Sequence, residues 1–171
     1  KGFSMDVLTH PSLPRIDSGW GALKVWSIGS LIGNMGLIVT GALVRLTKSG
    51  LGCPTWPRCT SESFIPPDFG LHGVIEFGNR LLTFVLVVLA IGTFVAAMRV
   101  REAGFPRRDV RRLAVAAGLG IPLQAVIGGI SVLTKLNPYV VGLHLIVSVA
   151  IIVLLVLLVR RAHRLPTQAI S

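Results

Sequence analysis

Residues His72–Met98 read HGVIEFGNRLLTFVLVVLAIGTFVAAM, an apolar run whose only charged side chains, Glu76 and Arg80, lie near its start. Crossing the hydrocarbon core of a bilayer takes about 20 helical residues at 1.5 Å of rise each, so this run is long enough to cross. Three further stretches share its character: Val25–Val44, Leu113–Leu133 and Val140–Val159. The expected fold class is therefore an all-α membrane protein, with four transmembrane helices in an antiparallel four-helix bundle over residues 25–159. Around the spans lie an N-terminal segment (1–24), a Cys-containing loop (45–71), an Arg-rich loop (99–112) and a tail (160–171).

Composition narrows the function. The 171 residues are 52% hydrophobic and only 14% charged, with a formal net charge of +10. A soluble nucleic-acid binder of that charge needs a strongly polar surface, and too few polar residues remain to build one. Disordered and collagen-like chains are excluded too, because Gly and Pro are scattered without a period through an apolar sequence. The cations are sorted by side instead. Lys1, Arg15 and Lys24 precede the first span, Arg99, Arg101, Arg107, Arg108, Arg111 and Arg112 fill the second connection, and Arg160, Arg161 and Arg164 follow the last span. Only Arg45, Lys48, Arg58 and Lys135 fall on the other side. The positive-inside rule then predicts a multi-pass protein of the cell membrane, with both termini and the Arg-rich loop cytoplasmic and the Cys loop extracytoplasmic. No short apolar segment with a small-residue cleavage site precedes the first span, so no signal peptide is expected. A chain opening at Lys1 without Met is expected to be trimmed at its N-terminus.

Two patterns concern packing. Gly29, Gly33 and Gly36 form a small-residue stripe on the first span, where a neighbouring helix can come close. Placing Val39–Lys48 over Val126–Lys135 matches five of ten positions, which predicts either a repeated helical hairpin or merely shared membrane composition.

Ionisable groups inside spans are costly and therefore functional candidates. His72, Glu76 and Asn79 share one helical face, with Arg80 beside them, roughly 6–12 Å below the membrane surface for the last three. His144 in the fourth span lies about 9 Å below Pro138, at the same depth, so a meeting of the second and fourth spans would form one polar pocket. Glu76 and Arg80 stand at i, i+4, which suits an ion pair, or alternatively a proton-exchanging carboxylate beside an anion-holding Arg. His144 is either a hydrogen-bonded bundle residue or a haem ligand. Gln124 fits an interhelical hydrogen bond. His72 sits at the membrane surface, and His10 and His163 lie outside the spans. The only two cysteines, Cys53 and Cys59, occupy the outward loop, where five intervening residues permit either a structural disulfide or a redox-active pair. Two cysteines without nearby partners make an incomplete zinc site.

Thr40–Cys59 (TGALVRLTKSGLGCPTWPRC), Ile75–Arg80 (IEFGNR) and Gly142-Leu-His144 together resemble haem A synthase, especially its actinobacterial members. The resemblance implies one half, the N-terminal one, of an eight-helix pseudo-twofold protein. It implies oxidation of the C8 methyl group of haem O, through an alcohol and its hydrate, to the formyl group of haem A used by cytochrome c oxidase. Haem O is then the substrate, and haem b serves electron transfer in the other half. By the same resemblance Glu76, Cys53 and Cys59 are the catalytic candidates, and His144 is the axial ligand of the haem iron. His144, Asn79, Arg80 and His72 form the cofactor-binding set. The implied partners are haem O synthase, cytochrome oxidase assembly factors and a second four-helix half, or else a homo-oligomer. The chain departs from the family's Glu-x-x-His-Arg pattern, because Asn79 stands where the second-span His is expected and Asn ligates iron poorly. His72, seven residues earlier and about 10 Å away along the helix, does not replace it. Two other classes fit the pattern less well. A quinone-linked membrane thiol oxidase needs a second Cys pair, and a non-enzymatic haem-binding or assembly module leaves Glu76 without a task.

Overall fold

The computed structural model describes residues 19–50, 53–65, 70–102 and 105–164. Its helices are α1 Gly19–Leu46, α2 Leu71–Arg99, α3 Arg108–Leu133 and α4 Pro138–His163, all long and apolar enough to cross a membrane. Packing joins α1 to α2, α2 to α3, α3 to α4 and α4 to α1. That closed ring is a four-helix bundle, with α2 and α4 on one diagonal and α1 and α3 on the other. The second and fourth spans thus oppose each other across the bundle instead of packing side by side. The chain is an all-α, multi-pass membrane protein.

The helices overrun the spans read from hydropathy. α1 begins at Gly19 and not Val25, α3 begins at Arg108 and not Leu113, and α4 continues past Val159 to His163. Arg99, Arg108, Arg111, Arg112, Arg160 and Arg161, expected in a loop and a tail, are therefore helical. Hydropathy marks the hydrocarbon slab, whereas a helix ends where its terminal carbonyls find partners. Arg99, Arg160, Arg161 and His163 stand in last turns, where the negative pole of the helix favours cations. Within the Arg-rich loop two short strands pair antiparallel, β1 Arg101–Glu102 with β2 Phe105–Pro106, unforeseen in the sequence. Lys1, His10 and Arg15 lie outside the described residues, as does the tail from 165 onward.

The apolar core gathers toward the Arg-rich end, where Leu23, Ala96, Ala97, Val110, Leu158 and Ala162 close on one another. Ala117, Ile151 and Leu155 extend it toward the middle. Charges tie the helix ends around it. Arg107 donates twice to Asp109, each bond 3.0 Å, and Arg161 approaches the same carboxylate at 3.5 Å. Arg111 donates to Met98 O, a carbonyl of the last turn of α2, at 2.6 Å. Large apolar side chains face outward on the rest of the bundle, as Val25, Ile32, Val39 and Leu46 do at seven-residue steps along α1.

Small residues and hydroxyls make the α1–α2 seam. A Cβ added at Gly33 would stand 2.7 Å from Leu86, and one at Gly29 3.3 Å from Leu89, so both glycines of this pair serve close approach. A Cβ added at Gly36, the third member of the stripe, would meet nothing within 4 Å. Farther along, Trp26 occupies the space where Gly92 would carry a Cβ. The Thr93 hydroxyl donates to Trp26 O (3.0 Å) and accepts from Ser30 (2.8 Å), satisfying polar groups that lipid leaves dry.

The repeat reappears as geometry. Lys48 and Lys135, its final residues, both adopt left-handed backbone, at φ 56° and 52°. Around them Lys48 N donates to Arg45 O and Ser49 N to Val44 O, while Lys135 N donates to Val132 O and Leu136 N to Ser131 O. These are two Schellman caps at matching positions of the aligned segments. The α1–α2 and α3–α4 hairpins therefore start from equivalent helix ends. Gly92→Val is expected to displace the rigid indole of Trp26 and lower stability in detergent by about 1–3 kcal/mol. Gly36→Ala should leave the melting temperature unchanged or slightly raised. A G92V protein melting with the parent chain would show that the seam tolerates added volume.

Candidate functional site

The first two turns of α2 organise the opposite end of the bundle. Glu76 is only 4% exposed. One carboxylate oxygen meets Arg80 Nη2 at 2.6 Å and the other accepts the Cys53 backbone N–H at 2.8 Å. Arg80 spends its guanidinium on the same loop. It donates to Cys53 O at 3.0 Å, to Thr55 O at 3.2 Å from both terminal nitrogens, and to Arg58 O at 3.4 Å. The i, i+4 ion pair read from the sequence is present, and its larger work is to grip the loop by its backbone. An anionic group reaching for Arg80 would have to compete with those carbonyls.

Cys53 and Cys59 are joined in a disulfide, and both are fully buried. Closing so small a ring contributes about 2 kcal/mol by chain entropy. Within the ring Thr55 Oγ1 donates to Arg58 O (2.8 Å), and Cys59 N donates onward to Ser63 O (3.0 Å). Trp56 projects from the ring onto α3, filling the space in which Gly129 would carry a Cβ. The disulfide loop therefore bridges α2 and α3 over the end of the bundle.

Next along α3, Gly128 faces His144 of α4. A Cβ there would lie 3.3 Å from the ring's Cε1 and 3.9 Å from Nδ1, so the glycine leaves the imidazole its room. His144 Nδ1 is buried and has no hydrogen-bond partner. Gln124, one turn before Gly128, donates to His144 O at 3.1 Å and also to Ser148 Oγ. The interhelical role expected of Gln124 is thus filled, with the backbone of His144 as one of its acceptors.

The remaining candidates belong to the α1–α2 contact. His72 Nδ1 pairs with Ser49 Oγ at 2.8 Å, beside the α1 cap. Asn79 Oδ1 accepts from Thr40 at 2.8 Å. Glu76, Arg80, Cys53 and Cys59 accordingly form one hydrogen-bonded unit and His144 with Gln124 a second, and Trp56 reaches from the first to the glycine pair beside the second. Sequence reasoning passed over Trp56, Gly128, Gly129 and Ser49. The available signals were an aromatic residue between Pro54 and Pro57 inside the Cys ring and an adjacent glycine pair one turn after Gln124.

Among the described residues no three His, Cys, Asp or Glu side chains gather to hold a bare metal ion. A metal already chelated by a macrocycle needs only an axial side chain from the protein, and His144 is the imidazole set well inside a span.

The model of the COX15-CtaA family, cytochrome oxidase assembly protein, matches residues 24–170. The chain is similar to the haem A synthase of Listeria welshimeri, at 33% identity over 150 residues covering 83% of this chain and 47% of the relative. It is also similar to those of Geobacillus thermodenitrificans, at 31% over 98% of the chain and 51% of the relative, and Bacillus pumilus, at 31% over 88% and 49%. The chain spans about half the length of the curated relatives it matches. With most of its length, α2, α3, α4, all but the start of α1 and the disulfide loop inside the match, the chain belongs to the cytochrome oxidase assembly protein family.

Proposed function

We propose that the chain is the substrate-haem-binding half of a haem A synthase, an oxidoreductase that converts the C8 methyl group of haem O to a formyl group. One observation carries this reading. The loop that Glu76 and Arg80 hold by its backbone also rests Trp56 on Gly129, next to the glycine that makes room for the His144 ring. A single covering segment thus touches the surroundings of both the proton-exchanging candidate and the iron-ligating candidate.

The residues suit a haem. His144 offers an imidazole with an unpaired buried nitrogen, Gly128 provides a cradle that a Cβ would fill, and no second imidazole faces it from α2, where Asn79 is engaged by Thr40. A single axial ligand suits a substrate haem better than a dedicated electron carrier. Bound haem O supplies the methyl group, and its oxidation to formyl would take its oxygen from one water and release four protons and four electrons in two two-electron stages. Glu76 is the buried carboxylate placed to take such a proton, and both its oxygens are already engaged. Protonation therefore goes with loosening of the Cys53 N–H or the Arg80 contact, which couples proton transfer to the loop. Exchange between the Cys53–Cys59 disulfide and its dithiol form would move two electrons at the same loop. The cation distribution supports an extracytoplasmic position for this loop and a cytoplasmic one for both termini. A second four-helix half, or another copy of the chain, completes the electron path through haem b, with haem O synthase and oxidase assembly factors as partners.

Purified with haem, the 171-residue chain should lose its haem absorption on His144→Ala; full retention by that variant overturns the ligand assignment. In the complete enzyme, Glu76→Gln is expected to keep haem bound and to lower conversion of extracted haem O to haem A at least 10-fold. Unchanged conversion would leave only a haem-holding module. Arg80→Ala removes the donors to three loop carbonyls, and should speed limited proteolysis within residues 53–65 by about 10-fold, the equivalent of 1.4 kcal/mol of local opening. Cleavage at the parent rate would mean that the disulfide alone fixes the loop.

A further inference from the structure

We infer that Gln124 is a positioning residue for His144: its carboxamide oxygen accepts the Nδ1 proton of the imidazole and so presents Nε2 to a haem iron. This rests on the reading that His144 is the axial ligand.

The orientation of the Gln124 amide is fixed by chemistry. Its nitrogen reaches His144 O at 3.1 Å, and a carbonyl can only accept, so the NH2 group must stand on that side. Its second hydrogen goes to Ser148 Oγ, which itself donates to His144 O at 2.9 Å. The donors of Gln124 are thus consumed on α4, and Oε1 is left buried without a partner. His144 Nδ1 is likewise buried and unpartnered. The two orphans lie on residues already in contact, and they match: an amide oxygen only accepts, and Nδ1 donates in one of the two neutral tautomers. Leaving each unpaired is costly, and inside a bundle no bulk water offsets it. Gly128 supplies freedom to pair them, since it sets no side chain of its own against Cε1 and Nδ1. The resulting Nδ1–H···O=C bond would hold the tautomer whose lone pair sits on Nε2 and increase its basicity. Ligating histidines are oriented by outer partners in this way.

The test uses the 171-residue chain in detergent, loaded with protohaem, and reads the rate of haem transfer to apomyoglobin and the reduction potential, neither of which depends on turnover. Gln124→Leu should release protohaem about 10–100-fold faster and raise the potential. Gln124→Glu keeps an acceptor of greater strength, and should retain protohaem and lower the potential. Ser148→Ala removes an α3–α4 hydrogen bond while sparing the acceptor, and should leave the potential at the parent value. A role confined to helix packing predicts instead that all three variants lose thermal stability with no shift in potential. That result, obtained while His144→Ala no longer holds protohaem, overturns the positioning role and leaves the ligand reading intact. Full retention by His144→Ala removes the ligand reading itself.

Discussion

A carboxylate inside a membrane bundle keeps its charge only where other groups replace the water it has lost, and the Cys-loop end of this protein is arranged around that constraint. Glu76 receives a guanidinium on one oxygen and a backbone N–H on the other. The guanidinium in turn cannot be left with spare donors, and the loop carbonyls of Cys53, Thr55 and Arg58 take them. A buried ion pair by itself is weak evidence of stability, because desolvation offsets most of its attraction. Here the pair is extended into a network with a disulfide-closed ring, which restricts the conformations the loop must give up. The position of Trp56 over α3, and hence the cover over the His144 region, follows from that network.

The two hairpins of the bundle begin alike and diverge where chemistry is needed. Matching Schellman caps end α1 and α3, and Gly41 aligns with Gly128 across the repeat. In the first hairpin Thr40 of α1 hydrogen-bonds Asn79 of α2, and α2 carries the charged clamp. In the second, Gly128 of α3 stands open to the His144 ring on α4. Glu76 and His144 stand on diagonally opposed helices, the first bonded to the Cys loop and the second beside Gly128 of α3. Duplicating one hairpin and varying its polar residues is a short route to that asymmetry.

Much of this was legible in the sequence, for physical reasons. Crossing a bilayer imposes length and hydropathy directly, so all four spans were readable, and an i, i+4 Glu–Arg pair on a helix is a local fact. Gln124 was readable too, because an amide in lipid needs a partner. The helices extend beyond the hydropathy spans by up to six residues, at Gly19, since caps and terminal cations decide helix ends and hydropathy does not. The loop's grip was hidden because it runs from Arg80 to backbone carbonyls, and carbonyls carry no residue-specific signature. Trp56 on Gly129 joins positions far apart in the chain, and only the fold brings them together. The +10 charge, by contrast, is spread unevenly over the connections, and it also supplies Arg107, Arg111 and Arg161 at the helix ends beside the apolar core.

The two ends of the bundle are stabilised by different physics, and that division bears on function. Near the Arg-rich end, small and aliphatic side chains close tightly and the charges serve as ties between helices. Among the described residues the buried apolar clusters stop short of the Cys-loop end; hydrogen bonds, an ion pair and a disulfide join its elements. Apolar packing changes little with protonation or redox state, whereas each of those polar links does. Opening the loop therefore need not loosen the bundle beneath it. On the proposed reading, a site that admits a large flat substrate, moves protons and returns to the same geometry is best placed where the holding forces are switchable, over a base whose packing is not.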